Sequence, residues 1–328
     1  MTDLTIAQMM EIQKKFSDIF FDSDKLSSHE KSELTKTFCL SLHAEVTQLI
    51  NAVNYKQHTG DDSTPDMSRI LFESVDCIRY VLSLLNLWGL TPEEFVSAFQ
   101  SKDSFLHKRD ELSSRQRPKG QPVIVCDIDD VVAQFRVPYA EFVQKEFGVK
   151  IDPYSSEYYN IEPLTKAGID PEHVFGKFIA DGVFAKVPAC PEMIDFLKDL
   201  KKKGYWIQML TARPGHDARC KYDTYDWLVK NNVPFDGIDF TPEKYVWLSD
   251  KDFYRSGDLV CAIDDSLKHA SEYARHGVHV VVPETSYNEN FSQELAKKLK
   301  RVPHTNVKMT EAIDNIVRTQ KGDMNAHQ

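Results

Sequence analysis

Three apolar runs in this chain end directly on residues that could do chemistry. Val123-Ile124-Val125-Cys126 leads into Asp127-Ile128-Asp129-Asp130, Val260-Cys261-Ala262-Ile263 into Asp264-Asp265, and Trp206-Ile207-Gln208-Met209-Leu210 into Thr211. Short apolar runs of this kind read as buried strands. In an open parallel sheet the carboxyl ends of such strands face one crevice. Carboxylates gathered there suit a hard cation such as magnesium, and a hydroxyl and an ammonium suit a phosphoryl group. A phosphate ester resists attack because ester and nucleophile are both negative, so charge must be neutralised and the leaving oxygen protonated. Asp127 sits where a nucleophilic carboxylate is wanted, and Asp129, two residues on, suits the acid–base role. Asp264 and Asp265 supply further oxygen ligands, and Thr211 a hydroxyl. Lys251 is the candidate for the compensating charge, with Lys244 and Lys221 as alternatives. Arg213, two residues past Thr211, is placed to contact phosphate or to bond a carbonyl. Taken singly, Asp-x-Asp marks many turns and Asp-Asp caps many helices; it is the ordered set that points to one site.

A second cluster lies upstream. Glu45 and Gln48 are three apart on one helix, and Glu73 and Asp76 repeat the spacing on the next, so each pair shares a helix face. Asp76 is flanked by Val75, Cys77 and Ile78, a costly place for an acid unless it is paired or binds metal. Four oxygen-bearing side chains from two packed helices could hold magnesium beside a triphosphate.

These residues must be positioned by two kinds of scaffold. At 328 residues the chain calls for two domains. Residues 1–112 read as helices only, with one over Phe38 to Gln57, one over Ile70 to Leu87 stopped by Gly89, and one opening at Thr91-Pro92-Glu93-Glu94 with a capping box. Residues 113–121, basic and polar with Pro118 and Gly120, read as a linker. From 122 to 328 short apolar runs alternate with amphipathic segments. Strands are expected at 122–126, 205–210, 259–263 and 278–282, with a weaker one near 237–240. Helices are expected near 136–147, 190–203, 217–231, 267–276, 291–300 and 309–318. That alternation predicts a doubly wound parallel sheet with helices on both faces. The fold class is thus α plus α/β, an all-α bundle followed by a parallel α/β domain. Residues 150–188 interrupt the alternation and read as a cap over the strand ends. Its aromatics (Tyr154, Tyr158, Tyr159, Phe175, Phe178, Phe184) either stack on a base or fill the cap's own core. Phe135 and Tyr139 are pocket candidates.

The four downstream segments, in their order, resemble the haloacid dehalogenase-like (HAD) phosphatases. Asp127-Ile128-Asp129 matches the first motif, Thr211 the second, Lys251 the third and Asp264-Asp265 the fourth. The resemblance implies a Rossmann-like domain over about 121–285. It also implies an aspartyl-phosphate on Asp127, acid–base work by Asp129, and magnesium held by Asp127, the Asp129 carbonyl and Asp264. Asp129-Asp130-Val131-Val132-Ala133-Gln134-Phe135 is most similar to the 5′(3′)-deoxyribonucleotidases, in which a Gly usually stands where Asp130 does here. Upstream, Glu45-Val46-Thr47-Gln48 and Glu73-Ser74-Val75-Asp76 resemble the all-α nucleotide pyrophosphatases, nearest the dimeric dUTPase branch, over about 35–110. That resemblance implies conversion of a dNTP to the dNMP and pyrophosphate with magnesium-activated water. It also implies nucleotide contact by Asn51, phosphate contact by the Lys102–Arg109 stretch, and a homodimer or larger homo-oligomer through the helices. Gln48 stands where the family has a second Glu, bringing no charge.

Composition sets bounds. A net charge of −10 with no long basic stripe argues against a stable nucleic-acid partner, and so against a polynucleotide phosphatase. Six scattered cysteines without a CxxC suit a reducing cytoplasm. The first residues lack a signal-peptide pattern, and no apolar run approaches the ~18 residues of a membrane span. The expected function is a bifunctional nucleotide hydrolase, the helical domain making the monophosphate and the second domain removing its phosphate. Such a pair would deplete one dNTP, as in pool sanitation or a viral programme. The alternatives are a phosphatase whose helices only dimerise, and a nucleotide-binding sensor with decayed sites.

Overall fold

A computed structural model describes residues 4–53, 65–155, 161–290 and 292–326. Asn54, Tyr158, Tyr159 and the end of the helix expected to reach Gln57 lie outside the described residues. The chain divides into two compact units, Met1–Phe99 and Gln100–Gln328.

The first unit is helical, with α1 (Ile6–Ser17), α2 (Ser28–Asn51), α3 (Met67–Leu87) and the start of α4 (Pro92–Ser114). Their starts are written locally. Thr5 and Ser27 close capping boxes with Gln8 and Glu30. Glu94 N–H donates to Thr91 Oγ1 at 3.1 Å while Thr91 N–H donates to Glu94 Oε2 at 2.8 Å. α1 and α2 pack on α3. Leu82 and Leu87 of α3 are buried, and Gln13 of α1 donates to Ser83 Oγ at 2.9 Å and accepts from Arg79 Nε at 3.0 Å. α2 buries no residue fully, and Leu71, Phe72, Val75 and Ile78 of α3 stay exposed.

The second unit is built on a six-stranded parallel sheet. Its strands are β1 (Val123–Cys126), β2 (Trp206–Thr211), β3 (Gly237–Phe240), β4 (Leu259–Ile263), β5 (Val280–Pro283) and β6 (Leu299–Val302), in the order β3-β2-β1-β4-β5-β6. β1 is buried along its whole length, which is why its sequence is uniformly apolar rather than alternating. The chain runs outward from β1 in both directions, so the strand order reverses there and opens a crevice beyond the ends of β1, β2 and β4.

The helices between strands are α5 (Arg136–Phe147), α6 (Ile161–Lys166), α7 (Pro171–Ala180), α8 (Pro191–Lys202), α9 (Ala218–Lys230), α10 (Lys244–Ser249), α11 (Asp252–Arg255) and α12 (Leu267–Arg275), and α13 (Asn306–Ala326) follows β6. α6, α7 and a 3-10 turn at Val183–Lys186 occupy the stretch expected as a cap. Phe178 and Phe184 are buried there against Phe135, so they fill a core, while Tyr154 is exposed.

Two expectations are corrected. The segment 291–300, expected as a helix, holds a 3-10 turn at Gln293–Lys297 and then the start of β6. Pairing of Leu299–Val302 with Val280–Pro283 completes the sheet edge and outweighs local helical spacing. The stretch 113–121 is not a free tether. α4 runs to Ser114, and the basic residues after it are fixed by ion pairs within the second unit, Arg115 to Asp236 at 3.1 Å and Arg117 to Asp258 at 2.9 Å. The later half of α4 belongs to that unit as well. Phe105 is buried against Tyr222 and Tyr225, both centroids at 4.9 Å, and Ser104 donates to the buried Asp226 at 3.0 Å. Truncating a buried aromatic costs about 3–5 kcal/mol. Phe105→Ala should therefore lower the urea midpoint of the transition followed by the fluorescence of the buried Trp227, whereas Phe99→Ala, at an exposed position, should leave it unchanged.

Candidate active site

The strand ends bring the expected acids together. Asp127 follows β1, its N–H donating to Ile263 O at 2.9 Å, which locks the ends of β1 and β4 in step. Asp264 and Asp265 follow β4. Asp127, Asp264 and Asp265 are all buried, and each offers a carboxylate oxygen within 4.8 Å of the others. Like charges this close are held by Lys244, whose side chain is 1% exposed and whose Nζ lies 2.8 Å from both Asp127 Oδ2 and Asp264 Oδ2. Burial disfavours the ammonium, but the two carboxylates outweigh it and push the Lys244 pKa up. Burial, with Asp264 and Asp129 adding to it against Lys244, lifts Asp127 to about 6. Asp265 is driven up by burial and by the charges of Asp130, Asp264 and Asp127, and it accepts from Tyr287 Oη at 2.7 Å.

Lys251 is therefore not the lysine of the site. It lies beyond α10, with its ammonium 4.1 Å from the Trp247 ring centroid. Lys244 opens α10 immediately after the turn that leaves β3. That turn is hung on the end of β2, since Thr241 N–H donates to Thr211 O at 2.8 Å. Lys244, like the acids, comes just past a strand end: β3 closes at Phe240, where the sequence pattern also ends the weaker strand expected near 237–240. Lys221 lines a separate, more open pocket with His216 and Phe240.

Thr211 is buried at the end of β2, where its hydroxyl accepts from Arg213 N–H at 3.2 Å. Arg213 does not point to an open phosphate position. It grips Asp129 with two bonds, Nη2 to Oδ1 at 2.7 Å and Nε to Oδ2 at 3.0 Å, and its Nη1 donates to Thr224 Oγ1 at 3.0 Å. A fork of this kind fixes both position and rotamer of the carboxylate. The Asp129 side chain is thus held by Arg213 and is not part of the Asp127–Asp264–Asp265 group.

Asp130 explains how an acid can stand where related motifs have Gly. Its φ is +52°, the left-handed region that Gly enters freely and Asp enters at some cost. Its carboxylate offsets that cost by accepting from Phe135 N–H at 3.0 Å and Arg136 N–H at 3.3 Å, capping the start of α5, and by pairing with Arg136 Nε at 3.4 Å. Burial raises its pKa to about 6, with Asp129 adding to the shift.

A pocket opens over Asp127, with Phe135 and Tyr139 on one wall, Ile151 and Pro153 on another, and Lys244 and His269 at the far side. Phe135 thus stands where the sequence placed it. Arg136 and His269 escaped notice, because an arginine at a helix start and a histidine on a buried helix face have no motif.

In the helical unit, Glu45, Glu73 and Asp76 also converge, half-buried, with carboxylate oxygens within 4.8 Å of one another. Gln48 is exposed beside them and donates to Glu45 Oε2 at 2.9 Å, and Arg69 Nε lies 3.4 Å from Glu73. Asn51 ends α2 and is exposed. Lys102 and Arg109 lie in the second unit instead, Lys102 over the Tyr222 ring at 6.0 Å and Arg109 on Asp110 at 2.8 Å.

No family model and no curated protein matches the sequence. Solved structures share partial likeness, three of them as follows. A predicted phosphoglycolate phosphatase from Haemophilus somnus 129pt is 13% identical, covering 58% of this chain and 98% of its own, with a TM-score of 0.42. A HAD family hydrolase from Deinococcus radiodurans R1, with bound phosphate and sodium, is 12% identical over 61% and 97%, with a TM-score of 0.42. CbbY from Rhodobacter sphaeroides, in complex with phosphate, is 16% identical over 59% and 99%, with a TM-score of 0.38. At these scores the likeness settles neither family nor activity, and the functional reading rests on the site itself. No described helix is long and apolar enough to cross a membrane.

Two predictions follow from this geometry. Removing one member of a buried ion pair costs about 3–5 kcal/mol because the partners are left uncompensated. Lys244→Met should abolish phosphate release from a phosphomonoester by at least about 1,000-fold, while Lys251→Met should retain activity within about threefold; equal losses would contradict the assignment. For Asp130 the sign runs the other way from an ordinary ion pair. Its folded pKa lies above the unfolded value, so its carboxylate weakens the fold above pH 6 and the penalty fades as pH falls toward 4. In metal-free protein, Asp130→Asn should raise the unfolding free energy by about 1–2 kcal/mol at pH 7.5 and by little at pH 4.5, measured by urea titration.

Proposed function

We propose that residues 100–328 form a magnesium-dependent phosphatase of the HAD-like class, acting on a deoxynucleoside monophosphate through an aspartyl-phosphate. The observation that carries this is Lys244 bridging Asp127 and Asp264 beside Asp265 in one pocket. It keeps a nucleophilic carboxylate and its neighbouring acids together without closing off the nucleophile. The donor set fits magnesium, since Asp127, Asp264 and Asp265 offer hard oxygens in one small space. Magnesium held there would neutralise charge on the phosphoryl oxygens.

In the reading supported here, an Asp127 carboxylate oxygen forms a bond to phosphorus as the ester P–O bond breaks. The departing oxygen takes a proton from Asp129, which carries it on the oxygen that one of its two bonds to Arg213 must first release. Asp129 then removes a proton from water, whose oxygen attacks phosphorus and frees Asp127 and inorganic phosphate. Lys244 and Thr211 offer donors to the phosphoryl oxygens. Phe135 and Tyr139, stacked at 5.4 Å, give the pocket an aromatic wall suited to a base.

A second activity is favoured by one observation, the convergence of Glu45, Glu73 and Asp76 on two packed helices. We read the helical unit as a magnesium-dependent dNTP pyrophosphohydrolase supplying the monophosphate, with Gln48 contributing at most a neutral oxygen. The exposed apolar face of α3 fits pairing with a second copy.

A panel of dNTPs and dNMPs with magnesium, scored separately for pyrophosphate, phosphate and nucleoside, tests the scheme. Asp127→Asn should stop phosphate release but leave pyrophosphate release, and Glu73→Gln should do the reverse. Loss of both products in Asp127→Asn would leave the helices a dimerising role only, and binding without turnover would make the chain a sensor. Sedimentation of the same preparations should show a homodimer that Phe72→Glu dissociates.

A further inference from the structure

His269 lies in the first turns of α12, five residues after Asp264, and forms part of the pocket wall beside Lys244 and Ser266. It is 6% exposed. Among the described residues its ring has no hydrogen-bond partner, and only Nδ1 is sealed from solvent, so Nε2 is the ring nitrogen that can meet a ligand in the pocket. A buried imidazole with nothing to bond is costly, and such groups call for an explanation. Tyr273, one helical turn on, also buries an unpartnered hydroxyl, so the α12 face turned into the unit carries two unsatisfied polar groups in succession. Burial, with Lys244 acting in the same direction and Asp127 against it, holds the His269 pKa down at about 4. Burial thus favours the neutral ring, which carries one N–H.

The geometry points to His269 as an uncharged hydrogen-bond donor to a phosphoryl oxygen of the substrate bound over Asp127. This rests on the phosphatase reading above and adds a binding residue to it. The chemistry of the pocket favours a neutral donor. Arg213 and Arg136 are committed to Asp129 and Asp130, and Lys244 spends two of its three N–H groups on Asp127 and Asp264. A phosphoryl group still needs donors, yet another full cation here would repel a divalent ion held by the same acids. An imidazole kept neutral by burial supplies the donor without the charge.

Inorganic phosphate is the probe. With magnesium present, His269→Phe, which keeps the ring volume, should weaken competitive inhibition by phosphate about tenfold and raise KM by a similar factor, with kcat changed less. His269→Gln, which restores an amide donor, should recover part of both. The magnesium concentration giving half-maximal activity should stay at the wild-type value in each variant, and thermal melts identify any variant that has merely lost its fold. Phosphate inhibition and KM unchanged in both variants would overturn the inference, as would a shift confined to the magnesium requirement. A wild-type chain that hydrolyses no phosphomonoester and binds no phosphate would instead overturn the phosphatase reading itself.

Discussion

Five carboxylates crowd the ends of two adjacent strands, β1 and β4, and their mutual repulsion would splay the crevice open if nothing opposed it. Lys244 opposes it. Its ammonium is out of water, so its attraction to Asp127 and Asp264 is little screened, and neither acid can leave without stranding a buried charge. Everything else at the site is arranged around that bridge. β3 has to lie at the edge next to β2 so that the turn after it can return the chain to β1, and α10 has to begin at Lys244 so that the side chain reaches inward.

The other two acids of the first motif are handled differently, and the difference assigns their work. Asp129 is gripped by a buried guanidinium and taken out of the cation cluster; Asp130 is folded back to cap α5. Of three acids within four positions, only Asp127 is left facing the cluster. Sequence spacing treats them as near equivalents. Their backbone conformations and partners separate them into an acid of the cluster, an acid held by Arg213 and an acid that caps α5.

The helical unit has the same ingredients without the same finish. Glu45, Glu73 and Asp76 meet, but they are only half-buried, and among the described residues no ammonium lies between them, Arg69 approaching Glu73 alone. Such a cluster is cheap to leave open to water and would gain most from a bound cation. The apolar side chains exposed along α3 show that this unit's folding leaves a face uncovered.

Much was legible in the sequence because it is written in short range. Capping boxes at Thr91 and the uniformly apolar β1 gave the helix start and the buried strand, and Asp127, Thr211 and Asp264 could be placed because each directly ends such a strand. The i,i+3 spacing put Glu45 with Gln48 on one helix face and Glu73 with Asp76 on the next. What the sequence could not fix depends on partners distant along the chain. Lys244 displaced Lys251 because of where an edge strand turns, Leu299–Val302 became strand because β5 had an open edge, and Arg213 was claimed by Asp129, 84 positions away. The neutrality of His269 arises only once packing has removed its water. Local pattern determined which residues end elements, and tertiary structure decided which charges face one another, because desolvation and pairing are properties of the assembled interior.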